Sequence, residues 1–157
     1  MEIREAQPGD LDAWVNLRRA LWPDDPSESL FAEAKRVLTS SDEVCYLLIH
    51  PSLGAVGFIE AALHPGADAP YAHVEGWFIS PEYRRQGQGR KLMDRIEQWC
   101  LHRAIRTLTS DTTPKYPLSP TAHARCGFRT LAELKIFIRE LQPPGTDDTV
   151  PPDMSGR

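Results

Sequence analysis

The chain has 157 residues, 41% of them hydrophobic and 25% charged, with a formal net charge of −4. That length suits one domain with a real core, and the apolar content excludes a disordered chain. No basic block lies outside one short loop, and no apolar run nears the ~20 residues of a membrane helix, so neither nucleic acid nor membrane is an expected partner.

Ile3–Ala6 reads as a short strand, and Asp10 as the cap of a helix with Leu11, Trp14, Val15, Arg18 and Leu21 at helical spacing. Pro23-Asp24-Asp25-Pro26 stops that helix, and a second runs from Ser27 to Leu38. Val44–Ile49 and Ala55–Leu63 are β-rich runs joined by a hairpin turn at His50–Gly54. After a Pro/Gly/Ala loop at His64–Pro70, Tyr71–Ile79 is a third long strand. Lys91–Cys100 is an amphipathic helix with Leu92, Met93, Ile96, Trp99 and Cys100 on one face. Thr107–Ser110 reads as a strand ending at Asp111, and Leu118–Cys126 as a helix closed by Gly127. Leu134–Leu141 is expected to be a last strand. Residues 142–157 hold four prolines and two glycines and read as a weakly packed tail, so the domain is expected over 1–141. This order of elements predicts a mixed α/β (α+β) sheet.

Cys45, Cys100 and Cys126 lie far apart, are odd in number and lack metal-type spacing. They read as buried small hydrophobes, and a reducing cytoplasm is the expected compartment. The N-terminus, Met1–Glu5, is too charged for a signal peptide. The histidines show no ligand spacing, and no metal is expected.

The most informative stretch is Arg84-Arg85-Gln86-Gly87-Gln88-Gly89-Arg90, between a strand with a Ser80-Pro81 break and a helix. Glycines let backbone N–H groups approach an oxyanion, and a helix N-terminus adds partial positive charge. The loop therefore predicts a phosphorylated ligand. It fails the nucleotide triphosphatase pattern, because Gly89 is followed by Arg90-Lys91. It fails the dinucleotide fingerprint for want of a third glycine. It fits R-x-x-G-x-G.

On that loop, with Val74–Tyr83 before it and Cys126-Gly127-Phe128 after it, the chain resembles the GNAT acetyltransferase superfamily. Leu17–Pro23, Val74–Gly76, Ser110–Pro114 and His123–Phe128 narrow the resemblance to the aminoglycoside 6′-N-acetyltransferases. The resemblance implies a mainly antiparallel sheet flanked by helices and splayed at the cleft for acetyl-coenzyme A. It implies direct acetyl transfer in a ternary complex, and commonly a homodimer. It places the pyrophosphate on the Arg84, Arg85, Gln86, Gly87, Gln88, Gly89, Arg90 loop, and the pantetheine arm along Trp77, Phe78 and Ile79. Tyr116 stands where relatives carry a coenzyme-contacting Asn.

Acetyl transfer to an amine needs a carboxylate to orient the ammonium and accept its proton. Glu75, in an otherwise apolar strand beside Gly76, is the candidate, and Gly76 hints at a bulge that opens the sheet. The resemblance adds Asp111 and Glu133 as further acidic contacts to the acceptor, and Trp22 as an aromatic platform for a sugar or cation. His123 occupies the position where many members of the superfamily have a Tyr; it reads either as the acid for the departing thiolate or as a satisfied helix residue. The acidic set suits any polycation, so another polyamine, amino sugar or peptide amine stays open as acceptor, as does a non-catalytic coenzyme A-binding module.

Overall fold

The computed structural model describes residues 1–141. Five strands form one sheet in sequence order: β1 (Glu2–Glu5), β2 (Glu43–His50), β3 (Gly54–His64), β4 (Tyr71–Ile79) and β5 (Leu108–Ser110). β1 to β4 pair antiparallel, and β5 joins β4 in parallel. Helices α1 (Leu11–Leu21) and α2 (Ser27–Val37) precede β2, α3 (Gln88–Leu101) crosses from β4 to β5, and α4 (Ser119–Arg125) follows β5. The expected mixed, mainly antiparallel sheet with flanking helices is what forms.

Both faces of the sheet are buried, which is why its central strands read as apolar runs without alternation. In β2, Val44, Tyr46 and Leu48 pack with α3 through Leu92, Met93, Ile96 and Trp99. The intervening Cys45 and Leu47, with Phe58 of β3, pack under α1 and α2 against Trp14, Leu17, Leu30 and Ala34. Trp14, Phe58, Leu47 and Leu92 are fully enclosed, each contributing about 2–3 kcal/mol relative to exposure. The three cysteines are free and buried, and burial pushes each thiol above its ordinary range.

Asp10 sits at the N-cap of α1 but does not cap it. Its carboxylate accepts from both Arg4 Nη atoms at 2.7 and 2.8 Å and from the Gln7 amide at 2.8 Å. The Arg4 guanidinium holds that carboxyl below the usual range.

Two features of β4 open the sheet. In the β3–β4 ladder Glu60 pairs with Gly76 and Ala61 with Val74, so Glu75 is the extra residue of a bulge. The bulge slips the alternation: Val74 and Trp77, three apart, both pack on the α3 side. In addition, β5 pairs with β4 only at Ala72, His73 and Val74. Among the described residues, the rest of β4, from Glu75 to Ile79, has no sheet neighbour on that edge.

The expected strand at Leu134–Leu141 does not form. This segment has no regular structure, and Leu134, Ile136, Phe137, Ile138 and Leu141 are exposed. Strand-like composition cannot make a strand without a ladder partner, and within the described residues no edge takes this one up. The expected tail at 142–157 lies outside the described residues.

Candidate active site

The Gly-rich loop lies between the end of β4 and the first turn of α3. Gly87 is the N-cap of α3 with φ 76°, and Arg85 also takes a left-handed φ of 61°. Such alternation turns successive amides toward a common point. The first backbone bond of the turn runs from Lys91 N–H to the Gly87 carbonyl at 3.2 Å, so the amides at the helix start have no helical acceptor. A Cβ on Gly89 would stand 3.1 Å from Trp77 Cζ2, so glycine is what lets the loop pack on β4.

The side chains of the cradle divide their duties. Arg84 Nε donates to the Ile79 carbonyl at 2.7 Å, and its guanidinium covers Phe78 at 5.5 Å, locking the loop to β4. Arg90 turns to its own helix, pairing with Asp94 at 2.6 Å and Glu97 at 3.6 Å. Gln86 Nε2 donates to the Glu82 carbonyl at 3.3 Å. Arg84 and Arg90 are thus engaged within the protein itself.

Beside the loop, the edge of His123 meets Trp77 at 5.5 Å and Phe128 at 5.2 Å. His123 Nδ1 donates to the Ser119 carbonyl at 2.8 Å, so in the neutral ring Nε2 accepts the Ser110 hydroxyl proton at 2.7 Å. The Trp77 indole N–H is buried, with no partner among the described residues. Tyr116 donates its hydroxyl to the Leu21 carbonyl at 2.9 Å, tying the β5–α4 connection to α1.

A cavity of about 620 Å³ lies on the other face of the sheet, beneath α1 and α2. Six carboxylates line it (Asp25, Glu33, Asp42, Glu43, Glu60 and Glu75) against the guanidinium groups of Arg18 and Arg36. Arg36 is matched by Glu43 at 2.8 Å and Arg18 by Glu33 at 2.5 Å. The remainder is a negative surface that suits a polycation. Trp22 also lines the cavity, and its ring reaches over the bulge: a Cβ on Gly76 would meet Trp22 Cη2 at 2.6 Å.

The floor of the cavity carries a charged pair that no sequence motif marks. Glu60 is 3% exposed, accepts from Trp14 Nε1 at 2.6 Å, and stands 3.5 Å from Arg18 Nη1. Burial lifts its carboxyl to about 7 against the pull of Arg18 and the indole. Arg18 is itself 4% exposed, and its Nε and Nη1 make no hydrogen bond among the described residues. An acidic residue in the apolar run of β3 is the available signal, the same signal that marks Glu75 in β4.

Glu75 is half-exposed at the cavity wall, 3.2 Å from His64 Nε2. Asp111 is largely exposed just past β5 and lies 3.2 Å from His73 Nε2. Glu133 falls in the exposed segment after α4 and is not among the residues lining the cavity. The structure thus brings Trp22 and Glu75 together, with Asp111 on the neighbouring strand end and Glu133 apart. Among the described residues, no group of three or more His, Cys, Asp or Glu side chains could hold a metal ion.

The family model described as the acetyltransferase (GNAT) family matches residues 11–128. An aminoglycoside N(6′)-acetyltransferase type 1 of Stenotrophomonas maltophilia is 31% identical over 148 residues, spanning 90% of this chain and 94% of the relative. The protein of the same name from Salmonella typhimurium is 29% identical over 145 residues, spanning 89% and 99%. Among solved structures, AAC(6′)-Ih from Acinetobacter baumannii superposes with a TM-score of 0.78 at 26% identity, over 90% of this chain and 99% of that one. AAC(6′)-Iy in complex with CoA does so with a TM-score of 0.78 at 26% identity, over 88% and 93%.

Proposed function

The chain belongs to the acetyltransferase (GNAT) family, and from that membership we propose an acetyl-coenzyme A-dependent N-acetyltransferase whose acceptor is the 6′-amine of an aminoglycoside. Such an enzyme confers resistance to the antibiotic it acetylates. The observation that carries the acceptor is the acidic cavity ending at Glu75, on the bulge of the strand whose far end enters the cradle. One strand thereby serves both reactants, as direct transfer requires.

The residues present fit the donor. The free amides at the start of α3, the close packing of Gly89 on Trp77 and the unpaired β4 edge suit a pyrophosphate followed by an extended arm. Acetyl-coenzyme A supplies an activated acyl group there. Arg84, Arg85, Gln86, Gly87, Gln88, Gly89 and Arg90 form the grip, and Trp77, Phe78 and Ile79 flank the arm. Tyr116 acts from a distance in this reading, by fixing the connection after β5.

Glu75 orients the acceptor ammonium and takes its proton, directly or through water, so that the amine lone pair becomes available. Trp22 offers a face to the sugar, and Asp111 takes a second ammonium; Glu133, which stands apart from the cavity wall, has no part in this reading. A backbone N–H near the bulge polarises the thioester carbonyl. His123 passes a proton from Nε2 to Ser110 Oγ as the Ser110 hydroxyl proton goes to the departing sulfur, so the relay leaves Ser110 neutral.

Free-thiol release with acetyl-coenzyme A and kanamycin or tobramycin tests the reading, and no release with either overturns the acceptor. The same assay with polyamines and peptides covers the alternative acceptors.

Two further points belong to this proposal. The exposed apolar row from Leu134 to Ile138 and the open edge of the sheet support a homodimer in which a second copy covers that row. Sedimentation equilibrium at micromolar concentration should give twice the chain mass. Three free buried thiols support a reducing, cytoplasmic setting.

A further inference from the structure

Period-2 geometry places Tyr71, His73 and Glu75 of β4 on one face, away from the buried Ala72 and Val74. His64, at the end of β3, pairs with Tyr71 in the ladder. Its ring stacks on Tyr71 with centroids 5.1 Å apart and meets His73 edge-on at 6.1 Å. Two histidines therefore stand side by side, and each reaches a different acceptor carboxylate: His64 Nε2 to Glu75 Oε1 at 3.2 Å, and His73 Nε2 to Asp111 Oδ1 at 3.2 Å.

Hydrogen-bond accounting fixes the protons. An ionised carboxylate only accepts, so each Nε2 carries a hydrogen in these contacts. The Thr109 hydroxyl lies 2.8 Å from His73 Nδ1 and 3.2 Å from the Ala72 carbonyl, so it bridges the ring to β4. Both nitrogens of His73 are engaged, and the ring is held at two points between β5 and Asp111.

We propose that His64 and His73 are positioning residues for the acceptor site, each fixing one oxygen of its carboxylate and leaving the other for an ammonium group. Glu75 and Asp111 are then presented as a preset pair to two amines of one polycationic acceptor. Without the rings, both carboxylates are free to rotate, because the side chains of Glu75 and Asp111 are 43% and 86% exposed. Exposed pairs of this kind add little to stability. What they add is orientation, and a poorly oriented base loses rate. The inference rests on the reading of Glu75 and Asp111 as acceptor carboxylates.

The test is steady-state kinetics on the acceptor that releases thiol, with His64→Ala, His64→Gln, His73→Ala, His73→Gln and Glu75→Gln, each confirmed folded by its thermal midpoint. His64→Ala should lower kcat about tenfold, the scale of one charge-assisted hydrogen bond, and His64→Gln, which keeps an N–H at the Nε2 position, should recover most of it. His73→Ala should raise the acceptor KM about fivefold with kcat within about twofold, and His73→Gln should restore it. The KM for acetyl-coenzyme A should stay unchanged throughout. If His64→Ala keeps the parent kcat, if the Gln variants are as impaired as the Ala variants, or if the coenzyme KM moves instead, the positioning role falls. Glu75→Gln separates the two readings. Full activity there overturns Glu75 as the acceptor carboxylate, whereas an impaired Glu75→Gln beside an unaffected His64→Ala overturns only the role of His64.

Discussion

In the proposed function, the middle of β4 and its C-terminal end serve the two reactants in opposite ways. At Ile79 the strand enters a loop whose grip is local: seven consecutive residues, two left-handed turns and the first amides of one helix. At Glu75 the strand enters a wall assembled from α1, α2, β2, β3 and β4, with Trp22 from a helix end and Asp25 from the loop after it. The donor end depends on backbone geometry, the acceptor end on side chains brought together from a distance. Donor recognition is therefore portable as a motif, while acceptor recognition depends on packing.

The sharpest test of that division is Glu75→Gln. It should lower kcat/KM for the acceptor about a thousandfold, ~4 kcal/mol, with coenzyme affinity by calorimetry unchanged. Equal losses at both substrates would break the comparison.

The next effect lies in the acceptor floor and reads out in stability. The carboxyl of Glu60 rises from 4.5 to about 7 in the folded protein. Below about pH 4.5 it is protonated in both states. Between there and pH 7 the folded protein holds a proton that the unfolded chain has released, so stability falls as pH rises through this window. The whole window amounts to about 3 kcal/mol. Urea midpoints measured from pH 4.5 to 7.5 should fall more for the parent protein than for Glu60→Gln, which cannot titrate. Parallel profiles would show that Arg18 keeps Glu60 ionised throughout.

On the donor side, Gly89→Trp should weaken coenzyme binding about thirtyfold, ~2 kcal/mol, because any side chain there pushes Trp77 off the loop. Acceptor binding measured on the same variant should barely change. The smallest effect is expected from Gly76→Ala. The added methyl displaces Trp22 and Phe58, costing about 1–2 kcal/mol in the urea midpoint and raising the acceptor KM a few-fold. An unchanged acceptor KM there would remove Trp22 from the acceptor wall.

The same division explains what the sequence revealed. The cradle was legible because every part of it is contiguous, and the bulge because Glu75-Gly76 is an odd pair in an apolar strand. The two helices before β2 and the hairpin at His50–Gly54 announced themselves by period and turn chemistry. Arg18 and Glu60 did not, since Arg18 shares the helical spacing of the apolar residues of α1 and only the packing of α1 on β3 brings Glu60 beneath it. His64 and His73 escaped because they are nine residues apart in sequence and meet only through the hairpin. Leu134–Leu141 has a strand's composition, and composition does not supply a neighbouring strand.

The order of the sheet carries one more consequence, for how the molecule comes apart. β2, β3 and β4 are joined by short turns and form a local meander, whereas β1 is joined across α1 and α2, and β5 across α3. Local pairings close early in folding, and the two flanks must each close a longer stretch of chain. One flank carries Trp22 and Arg18, the other the cradle. Each substrate therefore clamps a different late-closing unit, and hydrogen exchange should slow on the α1–α2 side with the acceptor and on the α3 side with the coenzyme. The meander between them should keep the same exchange protection with either substrate.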